Sequence, residues 1–154
     1  MTPEYLRTSR GGTARNLMDT GIQLGRRFRS LKLWFVLRSL GARAIREHLT
    51  RHLCLAEQLA SWVDQHPNFE RLAPVPFSVV CFRWNPADAN LSEIELDCAN
   101  EQLLNAINQS GEAYLSHTRV GGRYALRMAI GHLRTQEEHV RRAWDLLCSL
   151  AEAA

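Results

Sequence analysis

Leu24-Gly25-Arg26-Arg27-Phe28-Arg29-Ser30-Leu31-Lys32-Leu33-Trp34-Phe35-Val36-Leu37-Arg38 is the stretch that decides how this chain is read. Three arginines in four residues lead into Leu31, Leu33, Trp34, Phe35, Val36 and Leu37, a helix apolar on nearly every side. A surface helix keeps a polar stripe opposite its buried one. This segment asks for cover all round, and its arginines ask for carboxylate, phosphate or carbonyl partners. It therefore suits a position between this domain and something else. A core helix of a small domain, with a solvated arginine end, fits the same residues equally well.

Upstream, residues 1–23 offer little to pack. Arg7 to Asn16 is rich in Arg, Gly and Thr, with Gly11-Gly12 at its centre, so this part reads as an extended connector to a missing domain. Residues 24–154 read as one small domain. Downstream, Gly41 closes the first helix, and a second runs from about Ala42 to Gln65 with Ile45, Leu49, Leu53, Ala56, Ala60 and Val63 as its apolar stripe. Strands follow at Phe69–Val75 and Phe77–Trp84, the latter rich in strand formers. Ser92-Glu93-Ile94-Glu95 is a capping box opening a helix that carries Leu103, Leu104 and Ile107 to Gly111, with Asp97 as a second possible cap. Two apolar-bearing runs around Gly121-Gly122 predict a hairpin. Thr135-Gln136-Glu137-Glu138 predicts the start of a last helix with Val140, Ala143, Trp144, Leu147 and Leu150 on one side. The fold class is α+β, in the order α-α-β-β-α-β-β-α: a small sheet with helices over one face.

A chain of 154 residues, 45% hydrophobic, supports one core and hardly two. Its net charge of +3 is unevenly spread. Residues 1–51 hold ten arginines and Lys32 against Glu4, Asp19 and Glu47, a balance of +8; the remainder holds eight arginines against thirteen acids, a balance of −5. Such asymmetry suits a nucleic-acid face, an acidic partner surface or another copy of the chain. Lys32 is the only lysine beside eighteen arginines, so any Schiff-base chemistry has one candidate. Cys54, Cys81, Cys98 and Cys148 form no Cys-x-x-Cys pair and read as buried free thiols of a reducing compartment. No stretch of eighteen apolar residues and no leader pattern occurs, so no membrane role and a cytoplasmic location are expected.

The constellations that could carry chemistry are few. His48 and His52 stand one helical turn apart with Cys54 nearby, but without a third ligand they read as solvated surface histidines and not as a metal site. Gly121-Gly122 lacks a following Lys-Ser/Thr and reads as a turn. His117, between Ser116 and Thr118, has no carboxylate placed to orient it and reads as structural. Arg127 falls between Leu126 and Met128 in a run that reads as buried. A buried arginine must be paired, and its planar fork suits a carboxylate, either internal or on a ligand. An autonomous nucleic-acid module would place Arg26, Arg27, Arg29 and Lys32 on phosphates. The apolar residues that follow would then have no cover, and no nucleic acid is expected as a partner.

The run Leu24 to Gly41, LGRRFRSLKLWFVLRSLG, resembles the segment that opens the C-terminal domain of the pyridoxal-phosphate-dependent group II amino-acid decarboxylases, the aromatic-L-amino-acid, tyrosine and histidine decarboxylase group. The similarity continues through Arg46-Glu47-His48-Leu49, Val75-Pro76-Phe77-Ser78-Val79-Val80-Cys81-Phe82-Arg83 and Tyr114-Leu115-Ser116-His117-Thr118. It ends with Leu126-Arg127-Met128-Ala129-Ile130-Gly131 and Glu138-His139-Val140-Arg141-Arg142-Ala143-Trp144, and so covers nearly the whole chain in the family's order.

The resemblance implies the small C-terminal domain of a fold-type I enzyme whose large domain holds pyridoxal 5'-phosphate. That large domain supplies the Asn-Pro-His-Lys-type segment with the Schiff-base lysine, the histidine stacked on the pyridine and the aspartate at the ring nitrogen. Lys32 matches the lysine of the helix and not the Schiff-base lysine, so this chain alone is expected to be inactive and to bind no cofactor. The parent reaction is loss of CO2 from an L-amino acid, with the cofactor ring as electron sink. Arg127 matches an arginine near the substrate carboxylate, and Gly25, with its neighbour Leu24, matches a position at the active-site mouth contributed across a homodimer. Arg26, Arg27, Arg29, Trp34 and Phe35 are then the expected interface. Some animal enzymes of the group read Trp-Gln-Ile-Pro before the Leu-Gly pair, whereas this chain has Thr20-Gly21-Ile22-Gln23, which leaves the substrate open within an aromatic expectation. A free-standing regulatory or scaffold domain of the same fold is the alternative.

Overall fold

The computed structural model describes residues 28–87 and 90–152. The chain forms two units, Met1–Leu49 and Thr50–Ala154. Helix α1, Arg29–Gln65, begins in the first unit and continues in the second.

In the first unit, α1 is broken at Gly41, whose φ of 73° and ψ of 162° lie outside helical geometry. A side chain at this φ would be strained, so glycine is the residue that allows the chain to stop one helical run and start the next. Each described side chain from Ser30 to Ser39 is exposed, Leu33, Trp34 and Phe35 among them. The Trp34 and Phe35 rings meet edge-on at 5.2 Å, and the Arg38 guanidinium lies 5.8 Å from the Trp34 ring.

The second unit is an antiparallel sheet with three helices on one face. Strands β1 (Phe69–Arg71), β2 (Val79–Trp84), β3 (Ser116–Val120) and β4 (Arg123–Ala129) lie in the order β1-β2-β4-β3. Helices α2 (Glu93–Ser110) and α3 (Glu137–Glu152) join the remainder of α1 over it. Alternation along β2 and β4 sends Val80, Phe82, Tyr124, Leu126 and Met128 into the core. Leu59, Val63, Ile107 and Leu147 meet them from the helices, each fully buried and each contributing about 1.5–3 kcal/mol of apolar transfer. Trp144 of α3 packs against Phe69 at 4.9 Å and Phe82 at 6.0 Å, which ties the last helix to two strands.

The α1 stripe differs from its sequence reading. The core takes Leu55, Ala56, Leu59, Ala60 and Val63, while Leu49 and Leu53 are exposed. His52 continues the buried side in their place: it is 5% exposed, and its Nε2–H donates to the His132 carbonyl at 3.2 Å. The expectation of a solvated histidine is thus corrected, because one carbonyl across the domain satisfies the ring. The thiols are also corrected in part. All four are free, but Cys54 and Cys98 are exposed, and Cys81 and Cys148 are half-buried.

The local signals for α2 and the hairpin hold. Ser92 caps α2, accepting from the Glu95 N–H while the Glu95 carboxylate accepts from the Ser92 N–H at 2.8 Å. Gly121 and Gly122 both have positive φ, 59° and 83°, as a two-residue turn of the I′ kind needs. The start of α3 moves by one residue: the back-reaching bond comes from His139, whose Nδ1 accepts from the Gln136 N–H at 3.0 Å. An imidazole three residues into the helix does here what a glutamate does in a capping box.

Asp97 and Asn100 do something the sequence did not announce. The β2–β4 ladder runs from Val79–Ala129 to Phe82–Leu126, and the next pair in register to exchange main-chain hydrogen bonds would be Trp84–Tyr124. Instead, the fully buried Asn100 takes both main-chain groups of Trp84. Its Oδ1 accepts from the N–H at 2.8 Å, and its Nδ2 donates to the carbonyl at 2.9 Å. Asp97, one turn earlier, accepts from the Tyr124 N–H at 2.8 Å and from Arg119 at 2.9 Å. Two side chains of α2 thus replace main-chain pairing where the strands part.

Candidate functional site

The same alternation that buries Leu126 and Met128 turns Arg127 to the other face of β4. It is half-buried, where the run around it read as buried: the run is apolar on one side only. Arg127 sits mid-strand, opposite Cys81 on β2 and Ser116 on β3. Its Nη1 donates to the Ser116 hydroxyl at 3.2 Å, and that hydroxyl lies 3.5 Å from the Arg127 carbonyl. Burial pushes the Cys81 thiol above its ordinary pKa, and the Arg127 charge draws it part of the way back.

Beside this row lies a second charged group on the same face. Among the described residues Arg83 is the buried arginine, 3% exposed. It is paired to Glu70 of β1 and donates to Glu93, at the start of α2, at 2.7 Å. The Glu93 hydrogen bond, with Glu70 behind it, holds the Arg83 pKa above the usual guanidinium value, and the same bond holds Glu93 below the usual carboxylate range. Arg123 stands 3.8 Å from Glu70. These charges complete one another beside the Cys81–Arg127–Ser116 row. Strand alternation was the available signal for Arg83. Its two carboxylates lie ten and thirteen residues away, on other elements, where no spacing rule links them.

The other sequence-derived candidates fall elsewhere. Leu24, Gly25, Arg26, Arg27 and residues 1–23, expected to form a connector, lie outside the described residues. Arg29 is the first residue of α1, and Trp34 and Phe35 are exposed on it. His117 stacks on Tyr124, with ring centroids 5.2 Å apart and planes within 5°. Among the described residues no group of three or more His, Cys, Asp and Glu side chains is placed to hold a metal. A cleft of about 140 Å³ at the end of β4 is lined by Tyr114, Met128, Ile130, His132, His139 and Val140; Arg127 does not line it. A larger, shallow depression of about 610 Å³ runs along charges already paired, such as Arg142 with Glu112 at 2.5 Å.

A model of the pyridoxal-dependent decarboxylase conserved domain matches residues 1–85, more than half of the chain. The chain belongs to the pyridoxal-dependent decarboxylase family. It is 38% identical over 152 residues to the aromatic-L-amino-acid decarboxylase of Catharanthus roseus, covering 97% of this chain and 30% of that protein. It is 41% identical over 147 residues to the phenylacetaldehyde synthase of Arabidopsis thaliana, covering 94% and 30%. Among solved structures, Oryza sativa TDC with PLP and tryptamine superposes with a TM-score of 0.76 at 38% identity, over 90% of this chain and 29% of that one. The chain spans about 30% of the length of the curated relatives it matches. The resemblance read from Leu24 to Trp144 and the α+β architecture both hold against these findings.

Membership of this family raises the question of where pyridoxal phosphate would attach. Lys32, the sole lysine, is exposed on α1 in the first unit, and residues 50–154 contain none. Among the described residues Lys32 is thus the one lysine a Schiff base could use. Among them no helix is long and apolar enough to cross a membrane.

Proposed function

We propose that this chain is the C-terminal small domain of a pyridoxal-phosphate-dependent decarboxylase of aromatic L-amino acids. In this reading the cofactor and its lysine belong to a large domain outside this sequence, and the chain by itself is inactive. Arg127 contacts the substrate carboxylate, while Leu24 and Gly25 shape the pocket mouth. Residues from Arg26 to Leu37, with Arg26, Arg27, Arg29, Trp34 and Phe35 foremost, seat the chain against that large domain and a second subunit of a homodimer. The observation that carries the reading is the apolar run of α1, exposed on every described side from Ser30 to Ser39, in a chain that spans about 30% of its relatives. A helix of this kind needs apolar cover, and left without it will drive self-association. The tryptamine in the rice structure supports the aromatic substrate class.

Incubating the chain with pyridoxal phosphate, reducing with borohydride and taking an intact mass tests the division of labour. The expected result is no stoichiometric adduct. A stoichiometric adduct at Lys32 with a saturable absorbance would overturn it and show a cofactor site within this chain. A second reading, an aldehyde-forming enzyme, is favoured by the 41% identity to a phenylacetaldehyde synthase. Turnover of L-tryptophan and L-tyrosine by the full-length protein, with amine and aldehyde products both quantified, separates the two.

A further inference from the structure

The strand register places one hydroxyl against both the main chain and the side-chain tip of Arg127. Ser116 and Arg127 are direct cross-strand partners on β3 and β4, on the face turned away from the helices. A serine hydroxyl has one proton to give and lone pairs to receive with. Here the hydroxyl lies within reach of the Arg127 carbonyl at 3.5 Å and accepts from Arg127 Nη1 at 3.2 Å. Both ends of one residue thus fix the hydroxyl, and the hydroxyl in turn tethers the tip of a four-torsion side chain to its neighbouring strand. The chemistry of the tether matters. A carboxylate at this position would hold the guanidinium just as firmly but would neutralise it and compete with an incoming anion. A hydroxyl orients the guanidinium and brings no charge of its own. On the other flank stands Cys81, cross-strand from Arg127 on β2, whose thiol burial pushes above its ordinary pKa.

We propose that Ser116 is a positioning residue for Arg127, holding its guanidinium in the orientation that receives the substrate carboxylate. This rests on the reading of Arg127 as the carboxylate contact. It adds a residue that otherwise shows only as the neighbour of His117.

The test compares Ser116→Ala, Ser116→Thr and Arg127→Gln in the full-length, cofactor-loaded protein, with L-tyrosine and L-tryptophan as substrates. Losing a hydrogen bond to a charged group that serves binding raises KM by about tenfold and leaves kcat within about twofold. Ser116→Thr, which keeps the hydroxyl on a strand-compatible side chain, restores KM. Inhibition by phenethylamine, which has no carboxylate, is unchanged by Ser116→Ala, whereas inhibition by 3-phenylpropionate weakens. A readout independent of turnover comes from arginine side-chain ¹⁵N spectra of the 154-residue chain, with the Arg127 signal assigned by its loss in Arg127→Gln. Guanidinium rotation at Arg127 is slow in the parent chain, faster in Ser116→Ala and slow again in Ser116→Thr. If Arg127→Gln raises KM while Ser116→Ala changes neither KM nor the rotation rate, the positioning role is wrong and the Arg127 reading survives. If Arg127→Gln leaves KM and 3-phenylpropionate inhibition unchanged, the Arg127 reading fails and the Ser116 role fails with it.

Discussion

Asn100→Ala is the perturbation whose cost can be worked most directly from the fold. Three hydrogen bonds end on the Asn100 amide: from the Trp84 N–H, to the Trp84 carbonyl and to the Leu96 carbonyl, all between 2.8 and 2.9 Å. Leu96 keeps its ordinary helical acceptor role when the side chain is removed. Trp84 does not recover, because the strand that would have paired with it has already turned away. Each main-chain group left buried without a partner costs about 1–3 kcal/mol. Trp84 is only half-buried, so water reaches part of the site and the low end applies, giving about 2–4 kcal/mol in all. Urea unfolding of the 154-residue chain, followed by tryptophan fluorescence, reads this as a lower midpoint at unchanged slope. Asn100→Asp adds a sign. Its carboxylate would face two carbonyl oxygens in a buried place, so its folded pKa rises above the unfolded value of about 3.9. The penalty is therefore absent below that unfolded pKa and grows as pH rises through the folded one. A loss under about 0.5 kcal/mol for Asn100→Ala, the range of an ordinary surface substitution, would refute the claim that α2 completes the sheet.

Three further outcomes follow from other parts of the structure. Gly122→Ala meets no atom within 4 Å but forces φ of 83° on an L-residue, so urea midpoints should fall by about 1–2 kcal/mol from backbone strain alone. Iodoacetamide at pH 8 should label Cys54 and Cys98 first by peptide mapping. Cys148, pushed up to about 11 by burial with Asp145 and Glu152 adding to it, should react more slowly than either. Glu93 has a folded pKa depressed by its bond to Arg83, so its contribution is present above the ordinary glutamate pKa of about 4.3 and is lost as pH falls through the folded value. Glu93→Gln should flatten that acid limb in pH-dependent melting and leave the alkaline side unchanged.

What was legible in the sequence was what depends on near neighbours. The Ser92–Glu95 box, the Gly121-Gly122 turn and the stop at Gly41 are each decided within four residues, and each stands where it was expected. The α1 stripe was misplaced because exposed Leu49 and Leu53 carry the same apolar letter as buried Leu55 and Leu59, while His52 is buried by a carbonyl eighty residues away. The candidate site was half legible. Arg127 stood out by its apolar neighbours, but those neighbours suggested burial, and only strand pairing shows that it shares a row with Cys81 and Ser116. Arg83 went unnoticed because its partners come from β1 and α2, and Asn100 because nothing local says that a strand will lack a neighbour.

The parting of β2 and β4 divides the sheet into two regimes of amide exchange. Phe82 and Leu126, and the pairs below them that flank Arg127, lie in continuous ladder, so exchange there requires opening the core itself. The Trp84 and Tyr124 amides are guarded by Asn100 and Asp97, and they open whenever the first turns of α2 fray. At the hairpin tip α2 thus stands in for β2 beside Tyr124, while the unbroken β3–β4 ladder runs from Val120–Arg123 to Ser116–Arg127. What touches the Gly121-Gly122 end reaches the Arg127 row along β3 and β4, because β2 ends its pairing with β4 at Phe82–Leu126.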